Sequence, residues 1–284
     1  MAIPKLAGYA LPTEAELPVN KVNWPFEPAR AALLIHDMQD YFLNFWGEES
    51  PLVSQVIDNI VRLRAYCKSL GIPVFYTAQP AEQSDSDRAL LNDMWGPGLN
   101  RHPEQNTVTA ALAPEADDQV LVKWRYSAFQ RSELESRLKA SGRDQLIICG
   151  VYAHIGCLTT ATDAFMRDIK PFMVADALAD FSREEHMMAL TYTAGRSGRV
   201  VTTQDLLLTP QSAEQLRDQI EALLDDDDRP EDHDNLVDYG LDSVQIMALA
   251  ARWRQVHQDI DFIKLAQQPT LAHWWSLLSR KVNP

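Results

Sequence analysis

At 284 residues the chain has room for one large domain and one small one. Its net charge of −14 excludes the concentrated positive charge that a nucleic-acid partner demands, and no apolar run approaches the length of a membrane span. The opening MAIPKLAGYALP lacks a charged region followed by an apolar core, and three cysteines (Cys67, Cys149, Cys157) with no CxxC pair argue against a disulfide framework or structural zinc. A cytoplasmic protein without membrane insertion is expected.

Residues 1–30 are proline-spaced and aperiodic, as for a segment wrapping a domain surface. Residues 31–35, AALLI, then run without interruption into His36 and Asp37, which reads as a strand buried on both faces that ends at an acid. In an open parallel sheet the carboxyl ends of the strands form the ligand crevice, so Asp37 is a catalytic candidate. It serves equally as the N-cap of a helix starting at Met38, with Asp40 competing for that cap.

Residues 54–70 carry helical periodicity that Gly71 stops, and residues 72–77 form a second apolar strand leading to Gln79. The polar excursion over 81–116 holds Arg88, Trp95 and the turn Gly96-Pro97-Gly98. So long an insertion after a strand end is usually functional or disordered, and Leu90-Leu91, Met94-Trp95 and this turn favour order. A third strand, 120–122, runs into Lys123; a helix over 132–140 leads to a fourth strand, 145–149, ending at Gly150. The stretch GVYAHIGCLTTATDAFMRD then opens a helix over 156–166, followed by a strand at 171–175, a helix at 183–194 and a strand at 199–203. Strand and helix alternate six times, which predicts a doubly wound α/β sheet, mainly parallel, with right-handed crossovers.

The alternation stops near Leu208. From Gln211 onward four helical stretches and no strand predict a separate all-α four-helix bundle, divided as 1–208 and 211–284. Seven Lys/Arg against fourteen Asp/Glu from Pro210 onward place half of the net charge on a quarter of the chain.

Asp37 after the first strand, Lys123 after the third and the Gly150–Gly156 turn after the fourth converge on one crevice. Strand-Asp, strand-Lys and that turn resemble the isochorismatase-type cysteine hydrolase fold, which includes nicotinamidases. Aligned on the family's pattern, the nucleophile position falls on Gly156, not on Cys157. A helix residue one step on points about 100° away, so Cys157 should pack inward as a small hydrophobe.

HDMQDYF, KWRYSAF and GVYAHIG together resemble the bifunctional isochorismatase/aryl carrier proteins of enterobactin-type catechol siderophore synthesis, over essentially the whole chain. That resemblance implies hydrolysis of isochorismate with Asp37 as general acid and Lys123 beside it. It implies substrate contacts from Gln79, Arg88, Lys123, Tyr152 and the backbone at Gly156, with Phe42, Trp46 and Trp95 as apolar walls.

GLDS at residues 240–243 resembles the attachment motif of carrier proteins, implying 4'-phosphopantetheine on Ser243. Met247, Phe262 and Ala266 would form a docking patch, and related carriers suggest Mg²⁺ contacts at Asp225, Gly240 and Asp242. The implied partners are a dehydrogenase acting on dihydrodihydroxybenzoate, a 2,3-dihydroxybenzoate-adenylating ligase, a phosphopantetheinyl transferase, a condensation-domain synthetase and a second copy in a homodimer. Two other readings stand at this stage: a carrier with an inactive hydrolase-like scaffold, and a cysteine amidohydrolase using Cys157.

Overall fold

The computed structural model describes residues 3–47, 49–208, 210, 212–224, 229–254 and 259–279, and divides them into two compact units, with the main break between Thr203 and Gln204. The larger unit is built on six strands: β1 Ala31–His36, β2 Val74–Ala78, β3 Gln119–Val122, β4 Gln145–Val151, β5 Lys170–Ala179 and β6 Arg199–Val201. All pairings are parallel, in the order β3-β2-β1-β4-β5-β6. The order reverses direction between β1 and β4, and the crevice of such a sheet lies at the strands' carboxyl ends beside that reversal. The predicted doubly wound sheet is present.

Every residue of β1 is sealed, which explains its unbroken apolar run. Ala32 and Leu34 belong to a core layer with Phe75, Leu146, Ile148 and Met173, closed by residues of the helices Leu134–Ala140, Leu158–Phe165 and Arg183–Tyr192. The helix Pro51–Ser69 buries Leu52, Val56, Ile60, Leu63 and Cys67 at helical spacing and starts at Ser50, whose hydroxyl accepts from the Val53 amide.

Several elements depart from the sequence reading. Neither Asp37 nor Asp40 caps a helix: Gln39 precedes a short helical turn, Asp40–Leu43, and Asp37 has φ 51°, a left-handed conformation that carries its backbone out of the strand. β5 runs four residues past the expected Ala175, because a register shift opposite Ile148–Gly150 lets Leu178 and Ala179 pair with Gly150 and Val151. The helix expected from Gly156 opens one turn earlier, as a π-helical turn over Ala153–Cys157. The excursion over 81–116 is ordered by short helices at Asp85–Arg88 and Leu91–Trp95, and it returns to the segment just after β1 through an antiparallel bridge between Gln39 and Val108.

The smaller unit holds the helices Ala213–Glu221, Ser243–Arg254, Phe262–Gln267 and Leu271–Leu278. Its core gathers Leu216, Ile220, Leu236, Ile246, Leu249, Trp253, Leu265 and Trp274. Trp253 and Trp274 meet edge to face at 5.6 Å, and the Trp274 indole N–H donates to the Leu265 carbonyl at 3.0 Å, so this buried tryptophan is both packed and satisfied. Among the described residues no helix is long and apolar enough to cross a membrane.

Candidate active site

Asp37 leaves β1 into the crevice with 6% of its surface exposed. Its Oδ1 accepts from the Thr77 hydroxyl at 2.6 Å and its Oδ2 from Lys123 Nζ at 2.9 Å, while its own amide donates back to Thr77 Oγ1 at 3.1 Å. Lys123 follows β3 and is 4% exposed. Burial pushes the Asp37 carboxyl up, but the Lys123 charge and the hydrogen bonds from Thr77 and Lys123 outweigh it and hold the carboxyl below its ordinary value. The free protein therefore keeps an ionised acid, neutralised by one lysine.

His36, the last residue of β1, is fully buried, and its Nδ1 lies 2.8 Å from the Val151 carbonyl oxygen. Burial and the Lys123 charge lower its pKa to about 4, so the ring is neutral. A neutral ring facing a carbonyl carries its proton on that nitrogen, so Nδ1–H donates to Val151. Gly156 lies against this ring.

The crevice is lined by Asp37, Phe42, Gln79, Arg88, Trp95, Lys123, Tyr152 and Gly156, so the structure brings together eight of the nine hydrolase residues singled out from the sequence. Arg88 is 3% exposed; its Nε donates to the Gly96 carbonyl at 2.6 Å, and its Nη1 is buried without a hydrogen-bond partner. Gly98, at φ +55°, makes room beneath it, since a Cβ there would press on the guanidinium at 2.5–2.9 Å. Gln79 is fixed through its backbone, whose N–H and C=O bond the Gln39 side-chain amide at 2.7 and 2.9 Å. The Tyr152 hydroxyl donates to the Phe42 carbonyl at 2.8 Å, and its ring stands edge-on to Phe42 and Phe181. Trp95 donates to the Tyr126 hydroxyl at 2.8 Å.

Trp46 corrects one expectation. It does not line the crevice but packs at a tilt against Tyr152 with ring centroids 5.4 Å apart, buttressing a wall rather than forming one. Thr77, His36, Tyr41, Arg125, Tyr126 and Phe181 went unassigned from the sequence. For Thr77 a signal existed, since it stands near the carboxyl end of the second apolar run, and in the sheet it pairs with His36. Phe181 offered none, because the length of β5 was not legible.

Cys157 is fully buried in the core, and burial raises its thiol well above the ordinary range. Cys67 and Cys149 are likewise buried. The side chain at 157 points away from the crevice, as the helical register requires.

In the smaller unit Ser243 is exposed at the start of its helix. Asp242 Oδ1 accepts from the Gln245 amide at 2.7 Å and Gln245 Oε1 accepts from the Asp242 amide at 2.8 Å, a reciprocal capping box around the serine. Gly240, at φ +94°, turns the chain into it. Met247, Phe262 and Ala266 are exposed, with Val244 and Ile263 as further exposed apolar residues on the same two helices. Asp225 lies outside the described residues.

Residues 31–205 match the isochorismatase domain family, well over half of the chain. The chain belongs to the isochorismatase family. Residues 214–276 match the phosphopantetheine attachment site family, so the smaller unit is a carrier-type domain that takes this covalent arm. Among relatives, the chain is 70% identical over its full length, and over the full length of the other protein, to enterobactin synthase component B of Escherichia coli strain K12. It is 48% identical to an isochorismatase of Bacillus subtilis strain 168, covering 99% of this chain and 96% of that one. Among solved structures, a cysteine hydrolase from Pseudomonas syringae pv. phaseolicola 1448A superposes with a TM-score of 0.61 at 27% identity, over 66% of this chain and 95% of that chain. The fold is thus shared with a cysteine hydrolase, whereas here the crevice meets a glycine.

Proposed function

We propose that the larger unit hydrolyses the enol ether of isochorismate to 2,3-dihydro-2,3-dihydroxybenzoate and pyruvate, and that the smaller unit carries 2,3-dihydroxybenzoate as a phosphopantetheine thioester for enterobactin-type siderophore synthesis. The observation that carries this reading is a buried carboxyl, Asp37, hydrogen-bonded to a lysine and facing a turn without a side-chain nucleophile. An enol ether is activated by protonating its terminal methylene carbon, which needs a well-placed acid and no covalent intermediate.

In this reading protonated Asp37 delivers its proton to that carbon. Water adds to the resulting oxocarbenium carbon and loses a proton; the bond between that hemiketal carbon and the ring-borne oxygen then breaks as the hemiketal hydroxyl gives up its proton to the departing oxygen, releasing pyruvate and the ring alcohol. The carboxyl must first take up a proton, and the substrate's two carboxylates favour this by opposing a third negative charge in a dry crevice. Arg88, with its buried and unpartnered Nη1, is poised for a carboxylate. Lys123, Gln79, Tyr152 and the Gly156 backbone complete the polar contacts, and Phe42 and Trp95 exclude water.

The assigned boundaries are 1–208 for hydrolysis and 211–284 for carriage, with the arm on Ser243, whose exposure and capped position suit enzymatic attachment. Met247, Phe262 and Ala266 form the docking patch. The partners are a dihydrodihydroxybenzoate dehydrogenase, an aryl-adenylating ligase, a phosphopantetheinyl transferase and a condensation-domain synthetase, in the cytoplasm, with the chain as a homodimer. Mg²⁺ at Asp225, Gly240 and Asp242 would have to share the Asp242 carboxylate with its helix cap, and hydrolysis routes no step through it.

The test is pyruvate release from isochorismate, coupled to lactate dehydrogenase. Release that is sensitive to Asp37→Asn and indifferent to thiol alkylation supports the reading; no release from the wild type makes the larger unit a scaffold, and loss on alkylation makes it a thiol enzyme.

A further inference from the structure

We propose that His36 and Gly156 form a matched pair that sets the reaction class of the crevice. The imidazole occupies the volume in which any side chain at 156 would stand, which bars a side-chain nucleophile and leaves Asp37 to meet the substrate. The inference rests on the hydrolytic reading for its consequence, but its geometry stands independently.

A Cβ built on Gly156 would overlap His36 Cε1, and would stand only 2.8 Å from Nε2 and 3.1 Å from Nδ1. The ring cannot swing aside, because the Nδ1 bond to Val151 pins it and the surrounding core seals it completely. The other glycine of the turn serves the same residue: a Cβ on Gly150, at φ +111°, would overlap the His36 carbonyl oxygen. Both ends of the Gly150–Gly156 turn are therefore shaped around one histidine, Gly150 around its backbone and Gly156 around its ring.

The ring is also an expensive occupant. Its Nε2 is buried without a well-formed hydrogen bond, the Tyr126 backbone being the polar group on that side, while the Lys123 charge opposes any proton on the ring. An aliphatic residue would fill a β1 terminus between apolar layers without that penalty. What an aliphatic residue lacks is the flat reach that closes the space over position 156. His36 thus acts as a positioning residue: it touches the glycine and the acid, its Nδ1 being 3.6 Å from Asp37 Oδ2, and it determines what chemistry can stand beside that acid.

The experiment is a double-mutant cycle on the full chain with Gly156→Ala, His36→Val and their combination, read as kcat and KM for pyruvate release. Gly156→Ala should lose about 100-fold or more in kcat/KM, and His36→Val in the same chain should recover at least about tenfold of that loss. Additive losses would overturn the pairing, since they would mean that position 156 is glycine for the sake of the substrate alone. If Gly156→Ala does not fold, the cycle is read on yield of folded protein and melting temperature, where restoration by His36→Val supports the pair and its absence overturns it.

A second arm needs no isochorismate. Because the three native thiols are buried, the thiol introduced by Gly156→Cys can be followed by mass spectrometry after iodoacetamide at neutral pH. It should label at least about tenfold faster when His36→Val is also present. Equal labelling with and without His36 would sink the proposal. Enhanced labelling in a chain whose wild type releases no pyruvate would instead leave the pair intact and reject the hydrolytic reading.

Discussion

Lys123 Nζ stands 2.9 Å from Asp37 Oδ2 in a crevice where both side chains are more than nine-tenths buried. This contact makes Asp37 a carboxylate in the free protein, although the proposed reaction begins with a carboxylic acid. Binding a dianion should therefore draw one proton onto the enzyme. Calorimetric titration of an unreactive dicarboxylate analogue, in buffers of different protonation enthalpy, should report an uptake of about one proton, and affinity should weaken roughly tenfold per pH unit above neutrality. Zero uptake would mean that another group supplies the proton.

Asp37→Asn keeps the shape of the side chain and removes its acid. Turnover should fall by about 10²–10⁴-fold, the usual worth of a positioned proton donor, with a far smaller change in KM. Stopped pyruvate assays at saturating isochorismate measure both; native turnover would dismiss Asp37 as the acid.

Arg88 offers a planar fork with one nitrogen spent on Gly96 and another left open. Arg88→Lys retains the charge and loses the fork. KM should rise about tenfold or more while kcat changes little, because a carboxylate is held in the ground and transition states alike.

The two units hold different chemistry, so Ser243→Ala should abolish the mass increase on incubation with coenzyme A and a phosphopantetheinyl transferase while leaving pyruvate release at the wild-type rate. An arm that still attaches to the variant would move the modification site elsewhere.

His36 and His186 are both buried with pKa values lowered to about 4 from 6.5. The unfolded chain binds those protons first, so folding stability falls as pH drops through the window from about 6.5 to about 4, by roughly 3 kcal/mol for each histidine. Thermal unfolding followed across that window should show a shallower decline for His36→Val than for the wild type. Asp37, lowered from 3.8, adds its own loss only below that range.

The parts of this architecture that were legible in the sequence are those written in continuous or periodic runs. β1 shows itself because both its faces are buried, and the helical character of the last stretches shows in their apolar spacing. Asp37, Lys123 and Gly156 could be placed because each follows a strand end. The order of the 81–116 excursion was less visible: the Gln39 side-chain amide donates to the Gln79 and Asn106 carbonyls at 2.9 and 2.6 Å, and a single glutamine next to a strand gives no hint of bonding to points 40 and 67 residues away. The neutral state of His36 depends on burial by distant chain segments, which no local pattern encodes.

The sealing of Cys67, Cys149 and Cys157 reaches beyond the crevice. A protein that hands acyl groups from thiol to thiol is exposed to a parasitic exchange in which its own cysteines capture the cargo. With every native sulfhydryl inside the hydrolase core, the terminus of the pantetheine arm is the one free thiol the chain would present to solvent, so a loaded aryl group has nowhere on its own carrier to stray.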